Sequence, residues 1–240
     1  MCTLTLKKEV YVTREKEHVE ILWISDLHLG SKDCNARGIL RLLKKYHFKK
    51  LVAVGDLSEG KPIGKLQIKI VEKLKKIHQQ GKLVVTYGNH DPKGNGVCRE
   101  IGIQAVEDYT CLVAGKSIFA THGDKFNDLG DNLNDHVIDW IICKLMVLLK
   151  LIKLRGINLG IIIIKLCAQL NALEVTRKAK EFASKKYYDK IICGHVHVPC
   201  HRIFMVKKRR IDYFNCGSFF DGESTYVVTH ENGHTYLRSL

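Results

Sequence analysis

The stretch Ile21 to Gly30, ILWISDLHLG, constrains what this chain can fold into more than any other. Ile21, Leu22, Trp23 and Ile24 run without a polar break and then give way to Ser25-Asp26-Leu27-His28. An unbroken apolar run suits a strand covered on both faces, and its ligand-carrying end lies where the run stops. In an extended segment alternate residues share a side, so Asp26 and His28 point together. A carboxylate and an imidazole aimed jointly from a strand end suit a divalent metal better than a core.

The pattern recurs along the chain. Leu51 to Val54 is apolar and ends at Gly55-Asp56, and Leu83 to Tyr87 ends at Gly88-Asn89-His90-Asp91. Helical spacing predicts helices over Arg37 to Phe48 and Gly64 to Gln80, the second stopped by Gly81. Strand, helix, strand, helix, strand implies a parallel α/β arrangement with its site at the carboxyl ends of the strands. Short strands near Ile103 to Val106, Thr110 to Val113 and Ser117 to Thr121 look antiparallel, and the last ends at His122-Gly123-Asp124. Residues 126–186 read as a helical insertion within a single 1–240 domain. Strand Lys190 to Cys193 then delivers Gly194-His195-Val196-His197. The tail alternates like an antiparallel meander with a turn at Glu231-Asn232-Gly233. Residues 1–18 read as an irregular arm or an edge strand.

The ligand inventory is Asp26, His28, Asp56, Asn89, His122, His195 and His197. Any one of them alone is more simply a turn or surface residue; their recurrence at strand ends is the signal. Oxygen and imidazole donors without thiolate suit Mn²⁺, Fe or Zn²⁺ in a reactive site. Seven donors exceed the usual set of one first-row ion, so two ions sharing a carboxylate is the economical reading. Such a pair, about 3.5–4 Å apart, can activate a nucleophile and clamp a phosphoryl group. The nine cysteines are scattered without a C-x-x-C pair, which fits reduced thiols packed as small hydrophobes. With no apolar leader at the start of the sequence, a cytoplasmic location is expected. The net charge of +14 fits solubility, or attraction to phosphate, nucleic acid or an acidic membrane.

The ordered blocks D-x-H, G-D, G-N-H-D, H and G-H-x-H resemble the calcineurin-like metallophosphoesterase superfamily. The resemblance spans residues 20 to 220. It implies a four-layer αββα sandwich of two mixed sheets flanked by helices. It also implies one metal held by Asp26, His28, Asp56 and His197, and a second by Asp56, Asn89, His122 and His195, with Mn²⁺ the leading ion. His90 would contact the phosphate rather than the metal, stabilising the transition state or protonating the leaving oxygen. Glu59 stands where the family often has an Asp, and would orient His90. Asp91 and Asp124 are candidates for a supporting role around the ligands.

Finer features, His122 to Phe126 before the insertion, Ile192 to Pro199 and Asn215-Cys216-Gly217-Ser218, resemble the UDP-2,3-diacylglucosamine pyrophosphatase branch. That implies cleavage to lipid X and UMP, in lipid A biosynthesis, beneath a lid that shelters acyl chains. Trp140 to Gly156 is almost wholly apolar, but Lys144, Lys150, Lys153 and Arg155 interrupt it. Each charge at a helix centre costs about 2.5–3.5 kcal/mol in a bilayer, so a spanning helix is not expected. The same stretch could rest on a membrane as a peripheral contact, with its lysines facing anionic lipid on the inner face. It could equally pack on itself. The branch's best-known members carry Arg where this chain has His90. A phosphodiesterase or nuclease, and a metal-binding scaffold without turnover, therefore stay open as alternatives.

Overall fold

The computed structural model describes residues 16–92, 96–126, 159–220, 222 and 224–240. Two mixed five-stranded sheets face each other, with helices on their outer sides. The first sheet has the order β10-β9-β1-β2-β3, from β1 (Glu17–Ile24), β2 (Tyr46–Val54), β3 (Leu83–Thr86), β9 (Thr225–Thr229) and β10 (Thr235–Ser239). The second has the order β4-β5-β6-β8-β7. Its strands are β4 (Tyr109–Val113), β5 (Lys116–Ala120), β6 (Lys190–Cys193), β7 (Cys200–Val206) and β8 (Arg209–Asn215). Helices α1 (Ala36–Lys45), α2 (Lys65–Gln79) and α3 (Val97–Ile101) cover the first sheet, and α4 (Leu159–Lys186) covers the second.

Burial on both sides explains the continuous apolar runs. Along β1, Leu22 and Ile24 pack toward α1 and α2, while Ile21 and Trp23 pack between the sheets against Ile118, Ile192 and Phe214. Trp23 is fully buried and satisfies its indole by donating to Thr229 Oγ1 at 2.9 Å. A third cluster joins Phe119, Ile191 and Tyr213 of the second sheet to Val175, Ala179 and Ala183 of α4. The small residues on α4 let the helix approach the sheet closely.

Three expectations change. The first helix ends at Lys45 rather than Phe48, because Tyr46 already pairs with Glu17 in the sheet and its ring is buried against Tyr226. Ile103 to Val106 is not an antiparallel strand: Val106 alone bridges Thr86, in parallel, on the edge of β3. The tail is not one meander. β8 runs parallel to β6 in the second sheet, whereas β9 and β10 form the predicted hairpin in the first. Of the expected insertion, 127–158 lies outside the described residues, including all of Trp140 to Gly156. No helix of the described residues is long and apolar enough to cross a membrane.

Candidate metal centre

The seven expected ligands arrive from both sheets. Asp26 and His28 follow β1, Asp56 follows β2 and Asn89 follows β3; His122 follows β5, and His195 and His197 follow β6. The backbone carries the parallel pairing past the strand ends, with Asp26 N donating to Gly55 O at 3.2 Å and His28 N to Asp56 O at 3.0 Å. Gly194 N donates to His122 O at 2.8 Å. Five of the seven take left-handed backbone angles: Asp26 (φ 52°), His28 (46°), Asp56 (49°), His195 (71°) and His197 (54°). Such a conformation costs of order 1–3 kcal/mol for each non-glycine residue and persists only where the surroundings enforce it. Turning each strand end this way swings its donor into the cleft.

Two glycines admit the close approach. A Cβ on Gly88 would lie 2.2 Å from Asp56 Oδ1, and one on Gly194 would lie 2.3 Å from Asp26 Oδ2. Those contacts are the physical reason for glycine at the head of GNHD and GHVH.

The donor atoms converge. His28 Nε2 is 3.2 Å from His197 Nε2, and His197 Nε2 is 3.0 Å from Asp26 Oδ1. Nitrogens bound about 2.0–2.1 Å from one ion lie roughly 3 Å apart at ordinary coordination angles, so the set has the right reach. On the other side Asn89 Oδ1 sits 3.0 Å from His122 Nε2 and 3.1 Å from His195 Nδ1. Asp56 Oδ2 lies 3.3 Å from His122 Nε2 and 3.9 Å from His28 Nε2, between the two groups. His122 Nδ1 lies 3.2 Å from Val54 O; as the donor there, it leaves Nε2 free to bind a cation. The residues fit divalent metal ions in donor type and in direction.

The electrostatics agree. Asp26 and Asp56 are both buried, 0% and 2% exposed, within one cleft. Burial alone would raise Asp56, but its hydrogen bond and charge contact with His122 hold it down at about 2. Burial opposes charge on His122, yet Asp56 and Asp26 push it up to about 9. Burial also opposes charge on His197, and the hydrogen bond with Asp26 raises it nonetheless. Burial and the neighbouring His122 lower His195. The cleft thus favours positive charge, which a proton or a metal ion can supply.

The supporting residues differ in role. His90 donates its backbone N–H to Asp56 Oδ1 at 2.9 Å, and its ring stands half exposed at the mouth. Glu59 was expected on His90; its Oε1 lies closer to His28 Nδ1, at 2.6 Å, than to His90 Nδ1, at 3.5 Å. Asp91 binds no candidate ligand side chain. It accepts Ser58 N at 2.9 Å and Gly88 N at 3.0 Å, tying two loops, and burial lifts its carboxyl to about 6. Asp124 opens a short 3-10 turn, Asp124–Phe126; its charge adds to the rise of His122 and partly offsets the lowering of His195. Sequence reading missed Ser25, whose hydroxyl bonds Asp26 Oδ2 and Val54 O, and Asn215, which donates to Gly194 O at 2.5 Å. It also missed Phe220, whose ring lies 4.9 Å from that of His28. Ser25 adjoins a ligand and Asn215 opens NCGS, so both had a local signal; Phe220 had none. Among the described residues Cys193 and Cys200 join no group of candidate ligands, and burial pushes both thiols up.

Solved structures with a similar fold include three, of which the first supports the fold of this chain. A hypothetical protein from Pyrococcus horikoshii OT3 superposes with a TM-score of 0.50 at 10% identity, covering 93% of this chain and 88% of that one. Yfce, a phosphoesterase from E. coli, gives 0.47 at 19% identity, with 91% and 98% covered. Vacuolar Protein Sorting 29 from Cryptosporidium parvum gives 0.47 at 15% identity, with 92% and 95% covered. No curated protein matches the sequence significantly. The family model described as calcineurin-like phosphoesterase matches residues 19–199, from within the first ligand strand to just past His197. That span takes in every donor brought together in the cleft, and on it this chain belongs to the calcineurin-like phosphoesterase family.

Proposed function

We propose that this metallophosphoesterase hydrolyses a phosphate diester or pyrophosphate at a two-metal centre. Asp26, His28, Asp56 and His197 would hold one ion and Asp56, Asn89, His122 and His195 the other. The observation that carries the reading is the position of Asp56, between His122 on one side and His28 on the other. Divalent ions there, Mn²⁺ foremost with Fe or Zn²⁺ as alternatives, would supply Lewis acidity and a nucleophile at neutral pH. The protein's own part is positional. Glu59 fixes the ring of His28, the Asp56 carboxylate fixes the backbone of His90, and the half-exposed His90 ring meets the phosphoryl group or the leaving oxygen.

Within that class the substrate we propose is a nucleotide-linked lipid such as UDP-2,3-diacylglucosamine. Support comes from the sequence blocks around His122 and His195 and from the apolar run at Trp140 to Gly156. Leu170 and Leu173 on α4 are 64% and 58% exposed, as apolar residues leading out of a lipid-contacting insertion would be. Contact of that insertion with an anionic membrane surface belongs to the same proposal. A second reading, a phosphodiesterase or nuclease, is favoured by a surface groove lined by Lys16, Lys73, Lys76 and Lys82, with no carboxylate among the described residues that line it. One panel tests both. UDP-diacylglucosamine, a CDP-lipid, cyclic nucleotides and single-stranded DNA are assayed with Mn²⁺, beside bis-p-nitrophenyl phosphate. Turnover of the lipid alone supports the first reading, and turnover of DNA that weakens steeply with salt supports the second. Absence of turnover under any metal would leave a scaffold.

A further inference from the structure

A cavity of about 690 Å³ lies away from the metal centre, between the starts of β5 and β6 and the β9–β10 hairpin. Lys116 and Lys190, in its wall, begin those two strands, whereas His122 and His195 follow their ends. Five or six residues of extended chain separate the two places, on the order of 15–20 Å.

Lys190 is 8% exposed. Lysine is almost never buried unless its charge is paired. Its Nζ donates to Gly233 O at 2.5 Å and Thr235 Oγ1 at 2.9 Å, both neutral, and an ammonium carries three donors. Among the described residues no carboxylate forms an ion pair with it, and the nearby acids are already committed. Asp212 Oδ1 is held by Arg210 and by His201, each at 2.8 Å. Asp189 Oδ2 accepts from Ser117 N and Ser117 Oγ, each at 2.9 Å. Lys116, exposed on the rim, has no ion-pair partner among the described residues either. Burial pulls the Lys190 ammonium below the usual lysine value, and Asp212 offsets this only in part.

We propose that this cavity is a binding site for a small phosphorylated organic molecule of mononucleotide size, with Lys190 and Lys116 taking the phosphate. The volume is within the range of small-molecule pockets and far exceeds what an inorganic ion fills. Lysine ammoniums act as point charges toward phosphate. The half-exposed ring of Tyr236 and the ring of His201, stacked 4.1 Å from Phe214, offer flat surfaces to the rest of the molecule.

Calorimetric titration of the full chain in EDTA tests this, because chelation removes the metals through which the other site would hold phosphate. The probes are AMP, inorganic phosphate and adenosine. AMP should bind saturably and at least tenfold more tightly than inorganic phosphate, and adenosine should not bind. Lys190→Met and Lys116→Ala should each weaken AMP at least tenfold, while Asp56→Ala should bind it as the wild type does. Lys116 lies on the surface, so its variant keeps the test decisive if Lys190→Met fails to fold. The proposal is overturned if AMP does not saturate, if adenosine or phosphate matches AMP, or if either folded lysine variant binds unchanged.

Discussion

At the scale of single residues, Asp56 and His90 separate metal holding from chemistry. Asp56 is buried, holds its charge against His122 and lies between both ligand groups. Asp56→Ala should therefore lose both metals, read as metal per chain by elemental analysis; two ions retained would remove its bridging role. His90 donates its backbone N–H to the Asp56 carboxylate, and its ring stands edge-on to that of His28, 5.3 Å away. His90→Ala should keep the metals and lower kcat by about 10²–10⁴-fold, the usual range for a positioned proton-transfer group. An unchanged kcat on the panel substrate would remove it from the reaction. Glu59 Oε1, 2.6 Å from His28 Nδ1, fixes which imidazole nitrogen faces the cleft. Glu59→Gln should weaken metal affinity roughly 10–100-fold, as loss of such an outer partner does. If instead only kcat fell, the contact with His90 at 3.5 Å would be the one that matters.

At the scale of elements, the strand ends place the donors, and their turns depend on glycine. Gly194→Ala sets a Cβ against Ser25 Oγ and Asp26 Oδ2 at 1.7 and 2.3 Å. Overpacking of this kind costs about 1–3 kcal/mol, so the urea midpoint should fall, with loss of metal. These elements also show what sequence can reveal. The strands β1, β2, β3 and β6 were legible because burial on both faces makes continuous apolar runs ending at polar blocks. Six of the seven converging side chains were legible because they sit in such blocks, and His122 because it sits in a similar polar block after β5. The start of β2 was not, because Tyr46 satisfies helical spacing as well as it satisfies the sheet, and only its pairing with Glu17 decides. The split tail was not legible either. Alternation reports a half-covered strand but says nothing of which sheet it joins, so β8 and β9 look alike in sequence. Glu59 lies within reach of His90 as expected, but its shorter contact with His28 was not legible, because it is set by a loop crossing that carries no sequence signal.

At the scale of the molecule, the centre is a junction. Asp26, His28, Asp56 and Asn89 come from the first sheet, and His122, His195 and His197 from the second. Their direct contacts across the sheets include the carboxylate–imidazole pairs Asp26–His197 at 3.0 Å and Asp56–His122 at 3.3 Å, and one that charge alone would not favour, His28 against His197 at 3.2 Å. A ligand that binds only the folded chain stabilises it by about 2.7 kcal/mol at a hundred times its dissociation constant. Ions held between the sheets should therefore raise the resistance of the whole chain to unfolding rather than stiffen one loop. A kcal/mol is worth roughly 2–4 °C of Tm for a protein of this size class, so saturating Mn²⁺ should raise Tm by about 5–10 °C for each independently filled site. Scanning calorimetry of metal-loaded and EDTA-treated protein measures this, with Asp56→Ala as the control in which the difference should vanish. A metal-dependent rise that persisted in Asp56→Ala would mean the ions sit elsewhere. No rise in the wild type at saturating Mn²⁺ would mean that the seven side chains converge without gripping a cation. The coupling also makes the distant cavity informative. If AMP and Mn²⁺ each raised Tm and their effects added, the two places would be independent. A surplus over the sum would mean that occupancy at the starts of β5 and β6 is felt at their ends, where His122 and His195 stand.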